Sequence, residues 1–174
     1  MSEANAGRGA GKVMLIVAWA LGLFLATRFF GQWQDAQRNP NQEVSSQQGA
    51  GFIEVKLASN GQGHFLANGQ INGQPVAFLL DTGATYVAVP GDLAERLGLK
   101  RGTPVSLQTA NGSSTGYRTQ LARLQLGDIV LQDVRALVAP GMDGEEILLG
   151  MSALKQLEFS QRDGTLLLRQ TTTQ

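Results

Sequence analysis

Phe78-Leu79-Leu80-Asp81-Thr82-Gly83-Ala84-Thr85, FLLDTGAT, carries the chain from an apolar run that begins at Val76 straight into an acidic residue and a tight turn. An unpaired charge at the end of a buried strand is costly, so its placement needs a reason. Either Asp81 shapes the turn through hydrogen bonds to its own backbone, or a carboxylate is wanted there for chemistry. After it, Ala84 to Pro90, ATYVAVP, returns to small and apolar residues. The acidic turn is thus framed on both sides by sequence suited to a core.

Outward from this turn the pattern is that of short strands. Ile53, Val55 and Leu57 alternate with Glu54 and Lys56, the two-residue period of a half-buried strand. Further strands are expected over 64–67, 75–80, 104–109, 117–126, 129–138 and 165–169. Asn68-Gly69, Asn72-Gly73, Asn111-Gly112 and Asp163-Gly164 read as the turns between them. Two brief helices are expected. One spans Gly91 to Leu97, with Asp92 as cap and Gly98 as terminator, and the other spans Met151 to Leu157. Residues 51–171 are enough for one small, mostly β domain, closed or nearly so, with 172–174 as a tail.

The N-terminal third is of another kind. Val13 to Thr27 is uncharged and apolar, and Phe29, Phe30 and Trp33 extend that character past Arg28. About 20 residues cross a bilayer, so 13–33 reads as a transmembrane anchor if Arg28 reaches toward the headgroups. A cleaved signal peptide is the competing reading, but it wants small residues at the junction where LATRFF stands. Residues 1–12 form a flank carrying Arg8 and Lys12. Its GRGAGKV only partly matches a phosphate-binding loop and has no strand before it. Residues 34–50, rich in Gln, Asn and Ser, read as a disordered tether.

Composition narrows the chemistry. Fourteen basic and 14 acidic side chains balance, and no basic stripe argues for nucleic acid. With no cysteine and one histidine, His64, thiolate chemistry is excluded and neither a metal site nor a histidine-activated nucleophile is expected. No cofactor is implied.

FLLDTGAT resembles the active-site loop of retropepsin-type aspartic proteases, in which two apolar residues precede Asp-Thr-Gly. Pro104 to Gly116 falls where that family has its flap hairpin. Ile147-Leu148-Leu149-Gly150, followed by MSAL, resembles its second apolar loop and C-terminal helix. With the anchor and with Gly63 to Thr85, the chain is similar to the bacterial single-span, membrane-anchored branch. The resemblance implies an acid-protease barrel, half of a two-lobed enzyme, with Asp81 as the catalytic residue and Thr82, Gly83, Ala84 and Thr85 completing its loop. It further implies that Thr82 links two such loops, that Leu149 and Gly150 support the loop from beneath, and that Ala110, Asn111 and Gly112 form a flap tip over an extended peptide.

Aspartic protease chemistry needs two carboxyls sharing a proton, one to activate water and one to protonate the scissile carbonyl. Asp35, Asp92, Asp128, Asp133, Asp143 and Asp163 lack a following Thr-Gly or Ser-Gly, and the loop has no duplicate. The implied partner is therefore a second copy, in a homodimer that pairs Asp81 with itself, anchored in the bacterial inner membrane with its domain on the periplasmic side. Two other readings stand beside this one: a non-catalytic dimeric peptide-binding module of the same fold, and a membrane protein whose Asp81 is only a turn residue.

Overall fold

The computed structural model describes residues 3–109 and 112–172. The chain divides into two units, with the boundary between Arg38 and Asn39. The first is helix α1, Glu3–Arg38. Its Gly11–Arg38 portion is long and apolar enough to cross a membrane, with a mean hydropathy of 2.1 over its most apolar stretch. Val13, Leu15, Trp19, Leu21, Phe24 and Phe30 are all exposed along it. Helical structure thus extends beyond 13–33 into both the expected flank and the expected tether, since Ala, Arg and Gln favour a helix once one is nucleated.

The second unit is a β domain built from two sheets. Its barrel comprises β3 (Leu66–Ile71), β4 (Gln74–Leu80), β5 (Val87–Pro90), β6 (Pro104–Thr109), β7 (Gly112–Leu126), β8 (Ile129–Ala139) and β9 (Glu146–Leu149). These lie in the order β3-β4-β9-β5-β8-β7-β6, and a further pairing of β3 with β7 closes the ring. A smaller sheet holds β1 (Ser46–Gly49), β2 (Phe52–Ala58), β11 (Thr165–Thr171) and β10 (Glu158–Arg162), in that order. Two short helices, α2 (Gly91–Arg96) and α3 (Met151–Leu154), follow β5 and β9.

Local chemistry explains most boundaries. Asn72 and Gly73 join β3 to β4 with φ of 50° and 81°, and Asp163 and Gly164 join β10 to β11 with 49° and 71°. Positive φ at both central residues is the two-residue turn whose twist matches antiparallel strands. Phe78, Ile71, Leu121, Leu124, Ile147, Leu149 and Leu154 are fully buried and form the barrel core.

Several expectations are corrected. Residues 34–50 are ordered rather than a disordered tether. Asn41 is buried and donates to the carbonyls of Ala58 (2.9 Å) and Leu66 (2.6 Å), while its side-chain oxygen accepts from the Ala58 N–H (2.8 Å). Further on, β1 pairs with β2 from Ser46↔Val55 to Gly49↔Phe52. A polar side chain that satisfies backbone groups holds a segment as firmly as an apolar one, without an apolar signature.

Asn68-Gly69 is no turn but the middle of β3, where a Cβ on Gly69 would lie 2.4 Å from the Gln125 carbonyl and 2.6 Å from the Phe78 ring. That glycine serves close approach. Asp92 does not cap α2, which begins after Pro90 with no side-chain cap, although Gly98 does end it at φ 64°. The second helix stops at Leu154. Glu54 is buried instead of facing water, because Arg169, opposite it on β11, binds it at 2.9 Å.

Candidate active site

The Asp81 loop is suspended between the ends of two parallel strands. β4 and β9 pair from Ala77↔Glu146 to Leu80↔Leu149, and the Asp81 N–H continues the ladder to the Leu149 carbonyl at 3.2 Å. The Ala84 N–H closes the turn on the Asp81 carbonyl at 3.2 Å, and the Leu80 N–H binds the Phe65 carbonyl at 3.0 Å. Hydrogen bonds to strands on both sides therefore fix where the carboxylate stands.

Within the turn the Gly83 N–H donates to Asp81 Oδ1 at 2.8 Å. The turn-forming role considered for Asp81 is thus real, and it occupies one oxygen. Oδ2 makes no hydrogen bond among the described residues. Asp81 itself is half-buried, while Thr82 and Gly83 are exposed. One oxygen held by a backbone donor and one left open leave the group oriented and able to accept or give a proton.

Leu149 and Gly150 support the loop from below. The N–H groups of Met151 and Ser152 donate to the carbonyls of Ala84 (2.8 Å) and Thr85 (2.9 Å). A Cβ on Gly150 would lie 2.3 Å from the Tyr86 carbonyl oxygen and 2.6 Å from that of Ala84, so only glycine lets this turn approach the loop. Ser152, which the reading of the sequence missed, is buried. Its hydroxyl donates to the Arg135 carbonyl (2.7 Å) and accepts from the Val87 N–H (2.9 Å), tying α3 to both β8 and β5.

Two concavities flank the loop. A cavity of about 250 Å³ is lined by Asp81, Thr82, His64, Phe65, Leu154 and Phe159, among others. His64, where the strand over 64–67 was expected to begin, lies exposed on the loop before β3. On the other side a groove of about 980 Å³ runs between Gly83–Tyr86 and the β6–β7 hairpin. Leu107, Ser113, Leu137, Met142, Asp143 and Leu148 are among its walls. Open on one side and mixed in polarity, it has the volume of a ligand site.

The hairpin pairs from Pro104↔Tyr117 to Thr109↔Gly112, with Gly112 at φ 110°. Of the expected flap tip, Gly112 lines the groove, whereas Ala110 and Asn111 lie outside the described residues. Asp143 reaches the groove from the segment after β8 but is not among the residues lining the cavity at Asp81. Among the described residues no three His, Cys, Asp or Glu side chains gather as metal ligands do.

Comparison with known proteins matches this architecture. Residues 67–156 fit the family model described as "gag-polyprotein putative aspartyl protease". A crystal structure of a retropepsin-like aspartic protease from Rickettsia conorii superposes with a TM-score of 0.60 and 28% identity, covering 75% of this chain and 97% of that one. Uncharacterized proteins of a Sinorhizobium species and of Rickettsia prowazekii (strain Madrid E) are 33% and 30% identical over 114 and 119 residues, or 64% and 66% of this chain. The chain spans about half the length of these two relatives, 49% and 50%.

Proposed function

The chain belongs to the gag-type aspartyl protease family and has the retropepsin-like fold, and from that premise we propose that it is a membrane-anchored endopeptidase whose active site forms between two copies. The observation that carries the proposal is the Asp81 carboxylate. It lines the cavity of about 250 Å³ and lies two residues before Gly83, which lines the open groove, with one oxygen on the Gly83 N–H and the other uncommitted.

Two such carboxylates brought together cannot both ionise, so a pair would share one proton. The ionised member takes a proton from water as that water attacks the scissile carbonyl carbon, and the protonated member gives its proton to the carbonyl oxygen. Collapse of the tetrahedral species then returns a proton to the departing amine. Thr82, exposed at the loop tip, would join the two loops. The β6–β7 hairpin would cover an extended peptide in the groove, with backbone pairing supplying affinity and side-chain pockets supplying selectivity. Helix α1 would anchor the chain in the bacterial inner membrane with the β domain in the periplasm. The basic flank of Arg8 and Lys12 supports that orientation, and protease accessibility of the β domain in spheroplasts tests it.

The decisive experiment compares the full-length chain in detergent with its Asp81→Asn variant on a peptide library from acidic to neutral pH, alongside the mass of each in solution. Cleavage that vanishes in the variant while the dimer persists is the expected result. Equal cleavage by both overturns the role of Asp81. A dimer that binds peptides and never cleaves them is a peptide-binding module instead.

A further inference from the structure

One row of side chains on the floor of the groove crosses the barrel sheet and ends in a charge. Arg118 of β7 lies opposite Leu137 of β8, Leu137 opposite Ala88 of β5, and Ala88 opposite Leu148 of β9. Directly opposed residues share a face, and all of these line the groove. Their chain neighbours Val87, Val138 and Leu149 turn the other way into the barrel core, as the two-residue period of a strand requires.

The row starts beside the Asp81 loop, since Leu149, the residue after Leu148, accepts the Asp81 N–H at 3.2 Å. From there the floor reads leucine, alanine, leucine, arginine, strand by strand, over about 14 Å. Alanine between two leucines leaves a dip, and Arg118 sets a cation at the far end. Arg118 is exposed, and among the described residues no ion pair or hydrogen bond engages its guanidinium. Asp143, the other charged residue lining the groove, comes from the segment after β8 and lies off this row.

We propose that Arg118 selects peptides carrying an acidic side chain two residues beyond an apolar one, counted away from the scissile bond, which rests on the peptide groove of the reading above and gives it a substrate class. In an extended peptide, side chains two residues apart share a face and stand roughly 6.6–6.8 Å from each other. With an aliphatic side chain over the Ala88 dip, the second residue outward falls about 3 Å short of β7. The lengths of the arginine and carboxylate side chains close that gap. A guanidinium binds a carboxylate through two parallel N–H donors, a match in shape and charge that no neutral side chain offers. Each copy in a homodimer would supply one Arg118, so the acidic position recurs on both sides of the scissile bond.

The full-length chain in detergent is given a peptide library, and the residues flanking each cut bond are read by mass spectrometry. Wild type is expected to enrich Asp and Glu about fivefold at one position on either side of the cut, two residues outward from an apolar position. Arg118→Gln is expected to lose that enrichment, and Arg118→Glu to replace it with Lys and Arg. Arg123→Glu makes the same charge change further along β7, at an exposed position outside the groove. It should keep the acidic preference, which separates a local contact from the overall charge of the protein. Peptides of the same library retained by the Asp81→Asn chain report selection without turnover.

Cleavage with one and the same charge preference in wild type and both Arg118 variants overturns the role of Arg118 and leaves the endopeptidase standing. A chain that never cleaves, yet retains acidic peptides until Arg118→Glu is added, supports the selecting role and overturns the endopeptidase instead. Neither cleavage nor retention defeats both.

Discussion

At Gly150 a single methyl group separates a supported loop from a displaced one. The atoms a Cβ would strike, the carbonyl oxygens of Tyr86 and Ala84, are backbone, so no side chain can swing aside to make room. Gly150→Ala is expected to lower stability by about 1–3 kcal/mol through overpacking. It should also slow peptide cleavage by on the order of a hundredfold, because the loop it moves carries Asp81. Thermal unfolding and steady-state cleavage of one peptide read the two effects, and an unchanged rate would detach Gly150 from the site. Asp81→Asn should separate them in the opposite sense, since an amide oxygen can still accept the Gly83 N–H. Its melting temperature is expected to stay within a few degrees of wild type while cleavage is lost. The turn at Asp81 and Gly83 and the close approach at Gly150 were legible in the sequence because each rests on a contiguous motif. Ser152 was not, for a lone serine in GMSAL looks like any helix residue until β5 and β8 are placed beside it.

Ser152 acts between elements, and its removal should be felt there. Ser152→Ala leaves the part-buried Arg135 carbonyl and the buried Val87 N–H each short of a partner, which is expected to cost roughly 1–3 kcal/mol in chemical denaturation. A loss under about half a kcal/mol would mean that other groups satisfy them. The smaller sheet offers a pH-dependent counterpart. The Arg169 guanidinium hydrogen-bonded to Glu54 holds that carboxyl below the usual glutamate range, against the opposing effect of burial, and Lys56 adds to the lowering. A depressed folded-state value means that this stabilisation is complete above the unfolded value of about 4.3 and is lost as pH falls through the lower folded one. Melting temperatures of wild type and Glu54→Gln should therefore differ most near neutral pH and converge in acid, and a gap that widens in acid would refute the linkage. Strands with alternating or unbroken apolar residues, such as β4, β7 and β8, were readable from pattern alone. β10 was not, because EFSQR holds one apolar residue and is a strand only through β11, and β3 was misplaced because a glycine kept for packing against Phe78 resembles a turn.

On the scale of the whole chain, the border between helix α1 and the β domain is set by polar contacts and not by a change in hydrophobicity. Asn39 and Pro40 are all that lies between the end of α1 at Arg38 and the buried Asn41. From there Asn41 binds the backbone of Ala58 and Leu66, the Asn68 N–H donates to the Asn41 carbonyl at 3.1 Å, and Ser46 Oγ accepts from the Asp128 N–H at 2.7 Å. The composition of 34–50 resembles a linker because Asn, Gln and Ser are also what a solvated coil contains, and sequence alone does not tell a satisfied amide from a solvated one. The consequence is testable by trimming. A chain beginning at Asn39 keeps every one of these contacts and should unfold in a single transition near that of the full-length protein. A chain beginning at Gly51 loses β1 and the Asn41 side chain, baring the edge of β2 and the Leu66 carbonyl. It is expected to be less stable by at least about 3 kcal/mol, from three or more hydrogen bonds lost and buried groups left unpaired. Equal melting of the two fragments would return 39–50 to the role of a tether. The expected difference would make 39–50 part of the β domain's own fold.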